Sequence, residues 1–316
     1  MARTLDRVAK IRGAIVGHLI GDALGVPYEF QGPDSLPPLA DIEMSPPPGY
    51  RRTHQVPPGT WSDDGAQALC LLESLLECGR FNAEDFACRM LRWLTEGHMA
   101  VDGKVFDVGR QTISALQSKL RDGDPLSVPP GGEHTNGNGA LMRVLPLALL
   151  HHGDDAEMVR DAHRQAELTH PHVRSRVACA LYSMWARVEL ETTGVLDTWA
   201  LAYERLRQVY ALVAASVQEA TLLTELEQHF GADCRWQPRG TGYVVDSLHT
   251  VRAACVEASY ERIVRRAISY GNDTDTTACL AGGIAGIRYA THGIPERWLG
   301  QLRGRELLEP LLERIH

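Results

Sequence analysis

The sequence predicts an all-α protein, and three features carry this prediction. Apolar residues recur at helical spacing along most of the chain, as in the face formed by Leu69, Leu72, Leu75 and Leu76. Alternating apolar and polar patterns long enough for a strand are scarce. The composition, with 44% hydrophobic and 23% charged residues, is ordinary for a globular protein. We therefore expect a compact bundle of many helices, formed as one domain over residues 1–316.

Four glycines recur at every fourth position of the first helix, at Gly13, Gly17, Gly21 and Gly25. Because glycine has no side chain, this spacing indicates a helix whose bare face lets a second backbone come very close. A buried helix of this kind brings its end into the core, where a site can be built. Apolar periodicity also predicts helices around residues 69–76 and 86–94 and over 140–152, 156–168, 173–192, 196–230, 243–258, 260–269 and 276–290.

A proline-rich segment follows the first helix at about residues 32–58 and contains eight prolines. Proline fixes φ and removes a backbone donor, so this segment is predicted to be extended and irregular. Loops of this length in a compact domain are commonly functional or mobile. Since the segment directly precedes an acidic cluster, two interpretations stay open, a lid over a site and a disordered surface loop.

Charge and composition exclude several classes of protein. The formal net charge is −8 and there is no long basic run, so sequence-independent binding of nucleic acid is not expected. No apolar run is long enough to span a bilayer, and the first residues lack a signal-peptide pattern. Seven cysteines without a Cys-x-x-Cys pair indicate reduced thiols. We expect a cytoplasmic monomer that has no membrane partner.

Two short acidic clusters each stand directly before a predicted helix. They are Ser62-Asp63-Asp64 and Asp273-Thr274-Asp275-Thr276. Serine, threonine and aspartate at a helix start satisfy unpaired amide groups, so helix capping explains either cluster alone. The chain contains a comparison of its own, because Asp154 and Asp155 also begin a helix and look like a simple acidic cap.

Taken together, the two clusters indicate a binuclear metal centre. Each combines two carboxylates with a hydroxyl group, which suits hard, oxygen-seeking cations such as Mg²⁺ and Mn²⁺. If the two helix starts meet, four carboxylates converge, and two divalent cations would offset their repulsion. Such a pair can polarise a substrate oxygen and lower the pKa of a bound water. Spacing along the chain does not show whether the clusters meet.

Other polar residues stand beside predicted helices. Glu29 and Asp22 lie at the end of the glycine-faced helix, and Asp107 is an isolated acid, so capping or ion pairing also suits them. The amide-rich turn at residues 136–139 opens a predicted helix, where backbone N–H groups form either an anion site or a plain turn. His170 belongs to a Thr-His-Pro-His run with too few ligands for zinc, which leaves an orienting or stacking histidine.

In order and number, these motifs resemble those of the ADP-ribosylglycohydrolase family. Each segment alone is modest, but the set covers nearly the whole chain. The most specific one runs from Gly271 to Gly286 and reads GNDTDTTACLAGGIAG. The others are Gly13–Glu29, Gly59–Asp64, Phe106–Leu116, Gly137–Leu147, Thr169–His172, Gly242–Leu248 and Ile294–Trp298.

The resemblance implies an all-α, orthogonal multi-helix bundle with a binuclear Mg²⁺ or Mn²⁺ centre at the bottom of a cleft. Glu29 would transfer protons, Asp63 and Asp64 would orient the water, and Asp107 would face the substrate ribose or the acceptor. His170 would lie near the distal part of the ligand. Carried over position by position, the metal ligands would be Ser62, Asp63, Asp64, Asp273, Asp275 and Thr276. The turn that would hold the diphosphate consists of Asn136, Gly137, Asn138 and Gly139.

Two positions depart from the pattern of the family. Ser62 stands where threonine is usual, which keeps the hydroxyl group. Gly65 replaces the common threonine or serine after the two aspartates, which would loosen the helix start or alter contacts around the ligands. The change at Gly65 bears on the preferred acceptor more than on the metal centre.

The sequence thus predicts metal-dependent hydrolysis of the bond between ADP-ribose and a protein or small-molecule acceptor, with ADP-ribose as the product. Two rival functions stay open. One is a non-catalytic or structural protein that binds ADP-ribose or a related nucleotide on the same fold. The other is a phosphohydrolase that uses the same metal pair to cleave a diphosphate. Neither the acceptor nor the choice between Mg²⁺ and Mn²⁺ follows from the sequence.

Overall fold

The computed structural model describes residues 2–192, 197–213, 217–231 and 234–316. Within these ranges it contains fourteen α-helices and no sheet, so the all-α prediction is confirmed. Gly137 and Tyr243 form an isolated antiparallel bridge. The helices are α1 Ala2–Gly25, α2 Asp63–Cys78, α3 Ala83–Glu96, α4 Arg110–Asp122, α5 Leu145–Leu150, α6 Asp155–Glu167, α7 Val173–Glu191, α8 Thr198–Val213, α9 Val217–Phe230, α10 Val244–Ala254, α11 Tyr260–Ile268, α12 Thr274–Tyr289, α13 Glu296–Gln301 and α14 Arg305–Glu313.

Helices α1 and α12 pack backbone against backbone. A Cβ atom added to Gly21 would lie 2.1 Å from the carbonyl oxygen of Ala278, closer than real side chains come. From the other side, a Cβ atom added to Gly282 would lie 2.3 Å from the carbonyl oxygen of Gly17. The predicted close approach of a second backbone is therefore confirmed. It places the end of α1, at Gly25, directly beside the start of α12.

Gly21→Ala is expected to destabilise the protein by about 1–3 kcal/mol, because the methyl group would meet the backbone of α12 rather than a movable side chain. Gly300 is a matched control, since it also lies in a helix but a Cβ atom there would meet nothing within 4 Å. Gly300→Ala should be neutral or gain up to about 1 kcal/mol from helix propensity. Urea unfolding measures both, and equal effects would contradict the packing argument.

His18 lies on α1 and is almost fully buried against α12. Its Nε2 atom lies 3.0 Å from the Sγ atom of Cys279. Burial lowers the pKa of His18 to about 3, so the folded protein keeps this ring neutral down to that pH. In the unfolded chain the same ring binds a proton at about pH 6.5.

Mild acid is therefore expected to destabilise the protein through His18. As the pH falls from about 6.5 toward 3, the unfolded chain gains a proton here that the folded protein does not bind. This one residue should lower the free energy of unfolding by about 2 kcal/mol between pH 7 and pH 5. In His18→Gln, the free energy of unfolding should therefore fall less over the same pH range, because glutamine does not bind a proton. Urea unfolding of both proteins at pH 7, 6 and 5 tests this, and parallel curves would show that His18 does not contribute.

Two predicted helical stretches need correction. The stretch 140–152 is helical only over α5, because the N–H groups of Leu141 and Met142 both donate to Asn138 O in a turn that precedes the helix. The stretch 196–230 is described as two helices, α8 and α9, and residues 214–216 lie outside the described ranges. Helices α13 and α14 were not among the predicted stretches.

The proline-rich segment is packed onto the helices. Ile42 and Met44 are fully buried, and the intervening Glu43 accepts a hydrogen bond from the indole of Trp298. The hydroxyl of Tyr28 donates to the carbonyl oxygen of Glu43 at 2.7 Å. These contacts anchor the middle of the segment, which argues against a disordered loop. None of the described helices is long and apolar enough to cross a membrane.

Candidate active site

The two acidic clusters meet where α2 and α12 begin. Side-chain oxygens of Glu29, Asp273 and Asp275 lie within 4.8 Å of one another. The pKa of Asp64 is raised mainly by burial and by the charge of Asp22, and also by the charge of Asp273, while the hydroxyl of Thr276 lowers it. Asp64 in the first cluster therefore lies near the second. The juxtaposition that the sequence left open is therefore present, and Glu29 lies beside the second cluster.

Burial dominates the electrostatics of this site. It raises the pKa of Asp63, Asp64 and Asp275 well above the usual range of aspartate, and the neighbouring carboxylates raise each pKa further. Burial also raises the pKa of Glu29 to about 12, with the charges of Asp107 and Asp273 acting in the same direction. The groups therefore cannot all be charged unless a positive charge enters the site.

Helix capping accounts for only part of these clusters. The Ser62 hydroxyl caps α2 by accepting from the N–H of Asp64, but Asp273 makes no capping bond to α12. Asp64 Oδ1 and Asp275 Oδ2 are buried and have no hydrogen-bond partner among the described residues. By contrast, Asp154 forms a complete capping box at α6, as predicted for a simple cap. The clusters thus hold buried oxygens that capping does not use.

Asp22 on α1 ties the first cluster to the central helix pair. Its carboxylate accepts from the N–H of Ser62 at 2.9 Å and from the N–H of Gly65 at 2.7 Å. Burial raises the pKa of Asp22 to about 7, although these two N–H groups lower it. Asp22 therefore caps a helix other than its own, and it is buried rather than part of a surface ion pair. It positions the start of α2 instead.

Gly65 fits closely at this helix start. A Cβ atom there would lie 2.7 Å from Leu19 Cδ2 and 2.9 Å from both Asp22 Oδ2 and Trp61 Cγ. The N–H group of Gly65 donates to Asp22 Oδ2, and neighbouring side chains fill the space that a side chain at this position would need.

Glu29 is held from the other side by the proline-rich segment. His54 Nε2 lies 2.5 Å from Glu29 Oε2 and 3.7 Å from Asp107 Oδ1. Thr53 donates through its hydroxyl to the carbonyl oxygen of Glu29. His54 also packs against Phe106, with ring centroids 5.3 Å apart. Sequence reasoning missed His54, since no motif marks it.

The turn at residues 136–139 lies beside the second cluster. Asn138 Nδ2 donates to Asp273 Oδ2 at 2.7 Å and to Ser247 Oγ at 2.9 Å. The N–H of Asn138 donates to Gly242 O at 3.1 Å, so that amide is not available to a ligand. His170 packs beneath the turn, where a Cβ atom on Gly139 would lie 2.9 Å from its Cε1 atom.

Asn136 is buried in the same turn and has structural partners. Its side chain accepts from Ser175 Oγ at 3.1 Å and donates to Glu133 O at 2.9 Å. Its carbonyl oxygen accepts from the N–H of Val244 at 3.0 Å. Asn136 and Asn138 therefore support the turn, while Gly137 and Gly139 let His170 approach it.

Comparison with known proteins agrees with this architecture. A family model described as ADP-ribosylglycohydrolase matches residues 3–316. The ADP-ribosylarginine hydrolase Tri1 of Serratia proteamaculans (strain 568) is 27% identical over 311 residues, which cover 98% of this chain and 80% of that protein. The ADP-ribosyl-(dinitrogen reductase) glycohydrolase of Rhodospirillum rubrum is 28% identical over 296 residues, covering 92% of this chain and 89% of that protein.

Similarity extends to solved structures. The chain resembles one described as an ADP-ribosylglycohydrolase-related protein complex, with a TM-score of 0.72 and 30% sequence identity over 98% of each chain. The family model spans nearly all of the sequence, and the structural match covers 98% of this chain. The chain therefore belongs to the ADP-ribosylglycohydrolase family and is an ADP-ribosyl hydrolase.

Proposed function

We propose that the protein hydrolyses the glycosidic bond between ADP-ribose and an acceptor, and that this reaction requires divalent cations. Family membership supports the hydrolytic removal of ADP-ribose. The observation that carries the metal dependence is the buried group of carboxylates formed by Glu29, Asp273 and Asp275. Near it, Asp64 and Asp275 each hold a buried oxygen that has no hydrogen-bond partner among the described residues.

The residues at this site fit a pair of Mg²⁺ or Mn²⁺ ions. The donors are carboxylate and hydroxyl oxygens, which hard divalent cations prefer. Added positive charge would also relieve the repulsion that raises the pKa of the clustered carboxyl groups. Cations held by these residues would also attract oxygens of the ribose, and they would lower the pKa of a bound water molecule. The proposed ligands are Ser62, Asp63, Asp64, Asp273, Asp275 and Thr276.

Glu29 is the proposed proton-transfer group. Its carboxyl group lies within 4.8 Å of Asp273 and Asp275 on one side and contacts His54 on the other. A carboxyl group in this place can pass a proton between water and the leaving atom of the acceptor. Asp107 lies beside Glu29 and would face the ribose or the acceptor. The surrounding carboxylates would stabilise the positive charge that develops on the ribose as the bond breaks.

The diphosphate is proposed to bind at the 136–139 turn. Because the N–H of Asn138 is occupied, the backbone donors left for a ligand in this proposal are those of Asn136, Gly137 and Gly139. Neither glycine has a side chain to obstruct a phosphate. His170 packs against this turn, so we propose that it contacts the diphosphate and not the distal part of the ligand expected from the sequence. Asn138 would act indirectly by orienting Asp273.

We propose a guanidinium group as the acceptor. Phe30 is 65% exposed next to Glu29, and its ring centroid lies 6.0 Å from that of His54. Phe106 lies on the other side of His54, and Asp107 adds a carboxylate. Aromatic faces beside carboxylates suit a planar cation. The relative from Serratia proteamaculans is named as a hydrolase of ADP-ribosylarginine, which supports the same choice.

Product analysis on a panel of ADP-ribosylated acceptors tests this function. The protein is incubated with Mg²⁺ or Mn²⁺ and with ADP-ribose linked to arginine, to serine and to a nucleic-acid base. We expect ADP-ribose to be released, fastest from arginine, and excess chelator to stop the release. Release of AMP would indicate cleavage of the diphosphate instead. Tight binding of ADP-ribose without release from any acceptor would indicate a non-catalytic binding protein.

A further inference from the structure

Arg143 is a fully buried cation that has no carboxylate partner among the described residues. Its guanidinium group lies over the ring of Phe86, 5.5 Å from the centroid. Burial lowers the pKa of Arg143 to about 10, which still leaves the group charged at neutral pH. A buried charge without a direct counter-ion is unfavourable, so the groups around Arg143 must stabilise its charge in another way.

All the hydrogen bonds of Arg143 go to neutral acceptors. Nε donates to Gln165 Oε1 at 3.1 Å, and Nη2 donates to the carbonyl oxygen of Gln165 at 3.2 Å. Nη1 donates to Gln67 Oε1 at 2.9 Å, and Nη2 also donates to Thr169 Oγ1 at 2.8 Å. Since arginine can only donate, each of these oxygens must accept. Because the oxygens of Gln67 and Thr169 accept from Arg143, the amide nitrogen of Gln67 and the hydroxyl proton of Thr169 are left to donate to other groups.

One branch of this network ends at the first acidic cluster. Gln67 Oε1 faces Arg143, so the amide nitrogen of Gln67 faces the other way and donates to Asp63 Oδ2 at 3.1 Å. The orientation of a glutamine amide is ambiguous in isolation, but a donor-only neighbour leaves one choice. Arg143 thereby fixes the amide that holds one oxygen of the Asp63 carboxylate.

The other branch ends at His170. Thr169 Oγ1 accepts from Arg143 and lies 2.8 Å from His170 Nδ1. The hydroxyl has one proton, and donating it to Nδ1 satisfies both atoms, so the proton of the neutral ring lies on Nε2. Burial lowers the pKa of His170 to about 3, which keeps the ring neutral at neutral pH. Nε2 faces the turn, at 3.2 Å from where a Cβ atom on Gly139 would lie.

We propose that Arg143 is a positioning residue that sets two distant parts of the site at once, the orientation of the Asp63 carboxylate and the Nε2–H tautomer of His170. The Nε2–H group is then a donor beside the turn, suited to an oxygen of an anionic ligand such as a phosphate. The benefit to catalysis rests on the proposed function. The amide orientation and the tautomer do not, since they follow from hydrogen bonds within the chain.

The tautomer of His170 is tested by nitrogen-15 NMR of protein labelled at histidine. We expect an unprotonated Nδ1 and a protonated Nε2, unchanged between pH 6 and pH 8, and His170→Asn identifies the signals by their loss. Thr169→Val removes the donor to Nδ1 and should give a mixture of tautomers. Thr169→Ser is the matched control, because it keeps the hydroxyl group and should keep the wild-type spectrum. A protonated Nδ1 in the wild-type protein would overturn the proposal.

The shared role of Arg143 is tested by combining this spectrum with Mn²⁺ affinity from calorimetry. Gln67→Met should weaken Mn²⁺ binding by about 10- to 100-fold and leave the His170 spectrum unchanged. Thr169→Val should change the His170 spectrum and leave Mn²⁺ binding unchanged. Arg143→Lys keeps the charge but cannot serve all four acceptors, so it should change both readouts. If Arg143→Lys folds and changes neither, the proposal is wrong.

Gln67→Met and Thr169→Val each change only one branch of the network, so the test stays decisive if Arg143→Lys does not fold. A clean separation, with Gln67→Met affecting only Mn²⁺ and Thr169→Val affecting only the tautomer, supports two branches that meet at Arg143. Joint effects in both variants would overturn that arrangement. The expected spectra and Mn²⁺ affinities without turnover on any ADP-ribosylated acceptor would contradict the proposed function and still support the positioning role.

Discussion

Asp275→Asn is expected to reduce turnover by about a thousandfold or more, because the proposed metal pair would supply several kcal/mol to the transition state. Asp63→Asn should have a similar effect through the other cluster. Both changes keep the shape of the side chain and remove one negative charge, so the fold should persist. Initial rates of ADP-ribose release, with Mn²⁺ affinity measured by calorimetry, check this result.

Asp154→Asn is the matched control for both variants. Asp154 also stands at a helix start, but its carboxylate accepts from the N–H of Glu157 in a capping box. Asparagine caps a helix about as well as aspartate, so this change should alter stability by less than about 1 kcal/mol and leave turnover and Mn²⁺ affinity unchanged. In the absence of metal, Asp275→Asn should unfold at the same Tm as the wild type or higher, since it relieves repulsion. Full activity in Asp275→Asn or in excess chelator would contradict the metal mechanism.

Glu29→Gln is expected to lower kcat by about 10²- to 10⁴-fold, the range that a general acid or base contributes. Glutamine is nearly the same size and can still contact His54, but it cannot transfer a proton. Affinity for ADP-ribose and for Mn²⁺ should change little if the main role of Glu29 is proton transfer. Single-turnover rates and calorimetry separate these effects. A loss of Mn²⁺ binding with kcat restored at saturating Mn²⁺ would instead make Glu29 a metal ligand.

Much of the fold and of the candidate site could be predicted because the signals are local. The helical class follows from apolar spacing, and the glycines of α1 indicate the close contact that Gly21 makes with α12. The clusters around Asp63 and Asp275 stand out because carboxylates and hydroxyls adjoin helix starts. The assignment of one domain to residues 1–316 and the roles of the site residues remain predictions.

The contacts that were missed join residues far apart in the sequence. Asp22 accepts from Ser62, 40 positions away, and Arg143 contacts Gln67, 76 positions away. His54 reaches Glu29 because buried contacts hold the proline-rich segment in place, and no spacing rule predicts that path. A weak signal did exist for Arg143, since a lone arginine inside the run Ala-Leu-Met-Arg-Val-Leu must either be buried with acceptors or break an apolar face.

The pairing of α1 with α12 has a consequence for synthesis on the ribosome. Thr274 donates through its hydroxyl to the carbonyl oxygen of Gly25, 249 positions earlier in the chain. A nascent chain therefore carries α1 without its partner until nearly the whole polypeptide has been translated. Such long-range contacts slow folding and leave apolar surface open to chaperones and proteases. A product that stops before residue 273 would lack Asp273 and Asp275, two of the four carboxylates of the acidic clusters. We therefore expect such partial chains to be both inactive and readily degraded.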